Sequence, residues 1–448
     1  MELLINLAVA GFCFAYVALS SLRLRRKLLA DPFHPQSVYR FLILYVLVYS
    51  VFSSDDVEVF HFVTKLTVLL TALFFLVSLD VIGAVVSKKS RAKEFFPEKR
   101  SDKFFASAFL GLYIAGWMWR AFALQAGLLY GTFLATQLEL SSYGNFVGQL
   151  NGLSLLALMG RIIFVQSDRL TKGMLLMIFA EIGWAFMSGS KIAILYVILP
   201  VLLIAYRRSW FRVQLRGAVL GGLLALILIQ VSFSIVTAYR TSVQQSFASG
   251  EGLAFSALAE GITNSVTSLW EPAANVNSDS ANSISARLNL ANFFGALIER
   301  EDLWREPWLG RSYYPIITWW IPRALWPEKP TVSVGAWYGE QVLGWDADSR
   351  SEGAITIWGD GLANFGFLGI LLATVTWIIF SYFVYERVGG RKKWGLLVLA
   401  MIYVRLLLGL EQNIATPLVA FQLQALWIAL IWLVFGVLAR LFAKRGSV

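Results

Sequence analysis

The residues best suited to chemistry lie between Trp319 and Pro330, where the chain reads Trp-Trp-Ile-Pro-Arg-Ala-Leu-Trp-Pro-Glu-Lys-Pro. Pro322 and Pro327 flank Leu325-Trp326, and Pro330 follows Lys329, so the backbone there is fixed at several points. Arg323 on such a turn is pre-organised to grip a phosphate through two parallel hydrogen bonds. A plainer reading fits equally well. Trp319, Trp320 and Trp326 would anchor an interfacial turn, and Arg323 would touch lipid head groups.

Two carboxylates follow. Glu352 stands before Gly353, and Asp360 sits in Trp358-Gly359-Asp360-Gly361-Leu362-Ala363-Asn364-Phe365-Gly366. Either can accept a proton from a hydroxyl nucleophile. Asp360 also suits a helix N-cap, and for that residue the cap is the favoured reading. The third group is a set of cations within or at the ends of apolar runs: Arg120, Lys191, Arg240 and Arg405. Charge in hydrocarbon is costly and usually faces a polar cavity. Glu139, Glu181 and Glu411 are the acids available to pair them, fewer than the cations need, which suggests an anion-binding funnel. Snorkelling to head groups is the alternative, chiefly for Arg240 at a span end.

The elements that must position these residues are membrane helices. Of 448 residues, 58% are hydrophobic and 15% charged. Apolar runs of spanning length recur along the chain, which predicts an all-α polytopic membrane protein. About eleven spans are expected, near 2–22, 39–54, 61–86, 104–126, 147–166, 172–189, 191–206, 216–239, 360–385, 394–410 and 416–440. The first has an acidic start and no small-residue cleavage site, so it does not read as a cleaved signal peptide. Domain boundaries follow the spans: helices over 1–239, a large loop over 240–359 and helices over 360–448.

Basic clusters follow alternate spans, among them Arg23–Lys27, Lys88–Lys103, Arg207–Arg216 and Arg387–Lys393. The net charge of +10 is therefore read as a device for orientation, not as a nucleic-acid surface. The expected topology has the N-terminus outside, the C-terminus cytoplasmic and the large loop outside. In a bacterium that loop would face the periplasm. Cys13 is the single cysteine, which excludes a disulfide within the chain. The two histidines, His34 and His61, lie outside the loop, which argues against a His/Cys zinc site there.

A loop of that size is seldom a passive connector. Glu251–Trp270 and Ile284–Glu301 have the apolar spacing of amphipathic helices that lie on the bilayer or cap the bundle. Asn275–Ser285 reads as a polar turn region. Tyr313–Trp320 is apolar but too short to span, which places it at the membrane interface.

The second half of the chain also resembles a known family. The resemblance runs through Gly189-Ser190-Lys191, Tyr239-Arg240, Leu309-Gly310-Arg311-Ser312-Tyr313, the Pro322-Arg323 to Lys329-Pro330 string and Asn364-Phe365-Gly366. It covers roughly residues 185 to 370 and is similar to the Wzy-type polymerases of O-antigen and related surface polysaccharides. Relatives often carry arginine where Lys191 stands, and a lysine cannot make the fork contact.

The resemblance implies a GT-C-like membrane glycosyltransferase of the bacterial inner membrane, with inverting chemistry. Donor and acceptor would be glycans on undecaprenyl pyrophosphate, and a Wzz-type chain-length regulator is a possible partner. No cofactor, metal or nucleotide sugar is implied. On this reading Arg323 and Arg240 bind the leaving pyrophosphate, with Arg287 or Arg311 assisting. Glu352, before Asp360, orients or deprotonates the acceptor hydroxyl, and tryptophans such as Trp326 stack on sugar rings. Two rivals remain. An O-antigen ligase would rely on a histidine in the large loop, and none lies there. A lipid-linked sugar flippase would be built from repeated halves, and no internal repeat is visible.

Overall fold

The computed structural model describes residues 2–53, 60–89, 102–125, 141–165, 167, 169–187, 191–210, 263, 289–321, 325–326, 328–330, 334–345, 353–388 and 392–445. Most of these residues are helical, with no strand among them. In chain order the helices are α1 (Glu2–Ala30), α2 (Pro35–Ile43), α3 (Phe62–Lys89), α4 (Asp102–Gln125) and α5 (Ser141–Phe164). Then come α6 (Lys172–Met187), α7 (Lys191–Arg207), α8 (Leu290–Glu299), α9 (Tyr314–Thr318) and α10 (Gly335–Gln341). The series ends with α11 (Thr356–Tyr382), α12 (Lys393–Val398), α13 (Val404–Leu408) and α14 (Ala415–Arg445). Wider π-helical turns at Leu44–Tyr49, Phe383–Val388 and Leu399–Tyr403 prolong α2, α11 and α12.

Among the described residues, six helical stretches are long and apolar enough to cross a membrane: Leu4–Ser21, Pro35–Phe52, Phe62–Val86, Thr356–Val388, Lys393–Glu411 and Ala415–Ala439. Side chains such as Phe12, Leu19, Leu368 and Leu433 are exposed on these stretches, as a lipid-facing surface requires. This is an α-helical polytopic membrane protein. Helices occur at each expected span except 216–239, which lies outside the described residues.

The chain forms two compact units, Met1–Ser101 with Arg287–Val448, and Asp102–Ala286. In the first, α11 packs on α3, and α8 packs on both. The Trp358 ring meets Phe75 of α3 and Phe294 of α8, with centroids 6.0 and 6.2 Å away. Deeper in the unit, Tyr39 of α2 shares a 2.9 Å hydrogen bond with Ser381 and accepts one of 3.1 Å from the Trp377 indole. Arg40 pairs with Asp80, which also accepts a 2.7 Å bond from Tyr16.

Helix α8 covers the start of α3. Its buried side includes Leu290, Phe294, Leu297 and Ile298. The Glu299 carboxylate accepts the Thr64 hydroxyl at 2.5 Å and, at 3.0 Å, the His61 N–H, one of the backbone groups that a helix start leaves unpaired. The His61 ring lies 2.8 Å from its other oxygen. Burial alone would raise the Glu299 pKa, but these bonds to Thr64 and His61 outweigh it and hold the carboxyl below its ordinary 4.5. Of the two amphipathic helices expected in the loop, this one spans Leu290–Glu299. Glu251–Trp270, apart from Thr263, and the turn at Asn275–Ser285 lie outside the described residues.

In the second unit α4 packs along α5. Gly116 meets the backbone of Ser154, and Gly160 makes room for the Phe109 ring, so the helices approach closely.

Candidate functional site

Helix α11 is two helices. At Phe365 (φ −141°, ψ 20°) and Gly366 (φ +61°, ψ −151°) the backbone leaves the helical region, and Gly366 adopts a conformation open to few residues but glycine. The chain then doubles back. A methyl group built on Gly369 would run into the Gly361 carbonyl oxygen, so the two halves touch backbone to backbone. In an unbroken helix, residues eight apart stand about 12 Å from each other.

The break leaves carbonyls at the end of the first half without helical partners. The loop before α9 supplies them. Trp308 N–H donates to the Ala363 carbonyl at 2.9 Å, and Leu309 N–H donates to the Asn364 carbonyl at 3.0 Å. The Asn364 side-chain oxygen takes the Gly310 N–H at 3.1 Å. Leu309 (φ +50°) and Gly310 (φ +88°) are both left-handed, so the loop turns sharply there. For Leu309 this costs about 1–2 kcal/mol, which the three docking bonds must hold in place.

Beneath the loop is a closed polar knot. Asp360 Oδ1 accepts the Ser312 hydroxyl at 2.6 Å and the Asn364 amide at 3.1 Å. Asp360 Oδ2 accepts the N–H of Ile414 at 2.9 Å. The Asn364 amide also donates to Ser312 Oγ and to the Asp360 carbonyl, each at 2.7 Å. Asp360, Asn364 and Ser312 are all buried. A carboxylate can enter such surroundings only when its oxygens are hydrogen-bonded, as they are here. Next to the knot, burial first and the Asp360 charge second push the Tyr313 phenol far above its ordinary range, so it stays protonated.

This geometry corrects the reading of Asp360 as the cap of its own helix. Helix α11 begins at Thr356, whose Oγ1 accepts the Gly359 N–H at 3.1 Å. Asp360 lies a turn further in and caps another helix instead, through Ile414, the residue before α14.

The other expected site residues fall as follows. Arg311 is exposed on the docked loop, and its guanidinium has no partner among the described residues. Its neighbour Ser312 is the residue that bonds Asp360. Trp326 is half-buried, and its carbonyl accepts the Lys329 N–H at 3.1 Å. Arg405 is half-buried on α13. With the Gln424 amide turned so that both its atoms are satisfied, Gln424 accepts from Arg405 Nε at 2.7 Å and Nη2 at 3.2 Å.

Arg120 belongs to the second unit and is engaged there. It makes a two-pronged pair with Glu181, at 2.8 and 2.9 Å. The indoles of Trp117 and Trp184 sit 5.0 and 4.6 Å from its guanidinium carbon. Both charges are buried, so this arginine is matched inside the protein and does not face an open funnel. Lys191 opens α7, in the same unit as Arg120. Arg240, Arg287, Arg323 and Glu352 lie outside the described residues.

Three contributors were not singled out as site residues in the sequence: Ser312, Asn364 and Lys329. The Lys329 ammonium donates to the carbonyls of Trp319 and Ile321, both at 2.9 Å, and so ties the two ends of the proline-arginine string together. The signal was their position inside the strings that carry the resemblance. No family model, curated protein or solved structure matches the chain.

Proposed function

We propose that this protein is a Wzy-type polymerase. It would join oligosaccharide repeat units carried on undecaprenyl pyrophosphate, in a GT-C-like fold of about eleven membrane helices, at the outer face of a bacterial inner membrane. The observation that carries the reading is the docking of Leu309–Tyr313 on Asn364–Gly366. Two of the segments that bear the resemblance are one hydrogen-bonded structure, joined by bonds across 54 and 52 positions of the chain. It presents the guanidinium of Arg311 outward.

The chemistry follows from the leaving group. As the glycosidic bond of the donor breaks, negative charge grows on the pyrophosphate. Cations already in place stabilise that charge more in the transition state than in the ground state. Arg311 and Arg323 are assigned to this task, with Arg240 and Arg287 assisting. Glu352 is assigned to the acceptor hydroxyl. Asp360 is assigned a positioning role, since it is fully buried and both its oxygens are engaged, one by Ser312 and Asn364 and the other by Ile414.

The test is elongation by purified protein in liposomes, using a defined lipid-pyrophosphate-linked repeat unit, with chelator and without nucleotide sugar. A ladder of products supports the reading, and a strict metal requirement refutes its metal-free form. One observation favours a second reading. Broken helices with freed carbonyls line the substrate sites of many transporters, and α11 is broken at Phe365–Gly366. A fluorescent lipid-linked sugar that crosses the liposome membrane without growing would select the transporter.

A further inference from the structure

We infer that the stretch Leu309–Ile321, with Leu325, is a foot seated in the head-group layer of the bilayer, in direct contact with lipid. This does not depend on the proposed catalytic activity. The stretch exposes a row of large apolar side chains: Leu309 is 76% exposed, Ile317 68%, Trp320 66% and Leu325 80%, and Tyr314 projects beside them. In water such a row would be an aggregation hazard.

What covers it follows from its surroundings. The row continues the outer wall of the membrane helices. The Tyr313 and Phe365 rings lie 6.1 Å apart, and Trp304 meets Phe367 at 5.2 Å. Phe367 and Leu368 are themselves exposed on the second half of α11, as a lipid-facing surface requires. On the other side α9 packs against α14, with Pro315 and Thr318 buried, and α14 exposes Leu426, Leu430 and Leu433.

The polar groups of the foot are also prepared for lipid. Irregular backbone survives at membrane depth only where its N–H and C=O groups are satisfied within the protein. The Trp320 indole N–H donates to the Ile317 carbonyl at 2.9 Å, so the ring presents no unmet donor. Thr318 donates to the Tyr314 carbonyl at 3.0 Å, and Ile321 N–H donates to the Thr318 carbonyl at 3.0 Å. Lys329 takes the carbonyls of Trp319 and Ile321.

The test uses the full chain in nanodiscs of phosphatidylethanolamine and phosphatidylglycerol. With Cys13→Ala as background, a fluorophore is placed at Ile317→Cys, Trp320→Cys or Leu325→Cys, and at Glu340→Cys as an exposed reference on α10. The three foot positions should lose emission to a nitroxide carried high on the lipid chain and keep it against aqueous iodide. Glu340→Cys should do the reverse. Iodide quenching at the foot, or disulfide-linked dimers through Ile317→Cys, would overturn the proposal in favour of water or a second copy. In case the variants fold poorly, the wild-type chain is irradiated with a diazirine-bearing phospholipid. Adducts on the peptide Tyr314–Ile321 are expected, and adducts confined to the spanning helices contradict the proposal.

Discussion

Asp360 of α11 and Ile414 at the start of α14 are joined by a 2.9 Å hydrogen bond between a buried carboxylate and a backbone N–H. One oxygen of Asp360 thus fixes the final helix, while the other holds Ser312 on the docked loop. A single side chain links three segments that are distant in sequence. Each contact of a charged acceptor with a buried donor contributes about 1.5–3 kcal/mol. Asp360→Ala is therefore expected to lower stability by at least that amount, with a matching fall in melting temperature in detergent. An unchanged melting curve with lost activity would instead return Asp360 to the role of base.

The contact between Gly361 and Gly369 admits no side chain. Gly369→Ala would force a methyl group into the Gly361 carbonyl, and overpacking of this kind costs about 1–3 kcal/mol. Gly11→Ala is the control, because open space surrounds that position. Thermal unfolding of the two variants should differ clearly, with Gly11→Ala close to wild type.

Lys329→Met keeps the aliphatic stem and removes the ammonium that holds the Trp319 and Ile321 carbonyls. The loss of even one charge-assisted bond, about 1.5 kcal/mol, corresponds to roughly a tenfold change in the population of the ordered loop. Glycan elongation should fall by about that factor or more while global stability changes little. Protease cleavage between Trp319 and Pro330 would rise in parallel.

Arg120 and Glu181 answer to different physics. Removing one partner of a buried ion pair strands the other charge, at a cost of about 3–5 kcal/mol. Glu181→Gln should therefore sharply reduce the yield of folded protein. The double variant Arg120→Met with Glu181→Leu should recover much of it. Equal losses in single and double variants would show that the charges themselves are needed.

Glu299 gives a pH dependence of defined sign. Its folded pKa lies below the ordinary glutamate value of 4.5, so its stabilising contribution is present in full above that value. It is lost as pH falls from there through the lower, folded value. The attachment of α8 to the start of α3 should loosen over that acid range, read as faster hydrogen exchange in Leu290–Glu299. Glu299→Gln should remove this part of the dependence.

Much of the architecture was legible because membrane helices announce themselves by length and hydropathy. The break in α11 was not. Phe365 and Gly366 do not interrupt the apolar run, and the hydropathy of Thr356–Val388 is that of one span. Capping preferences are local, so they placed Asp360 on its own helix. Its actual partner is a backbone amide 54 positions away. Which of Glu139, Glu181 and Glu411 would pair Arg120 was open for a related reason, since Glu181 lies 61 positions further on. What the sequence could show was which short strings were chemically unusual. Their contact with one another depends on the left-handed turn at Leu309–Gly310 and the doubling back at Gly366, which pattern alone does not reveal.

The most direct test of the central claim is the elongation assay on Arg311→Gln beside wild-type protein, each with its melting temperature. A ladder from wild type, and products that stop near one repeat unit from an equally stable Arg311→Gln, is the predicted result. A full ladder from Arg311→Gln, or none from well-folded wild type supplied with its own repeat unit, would contradict the account.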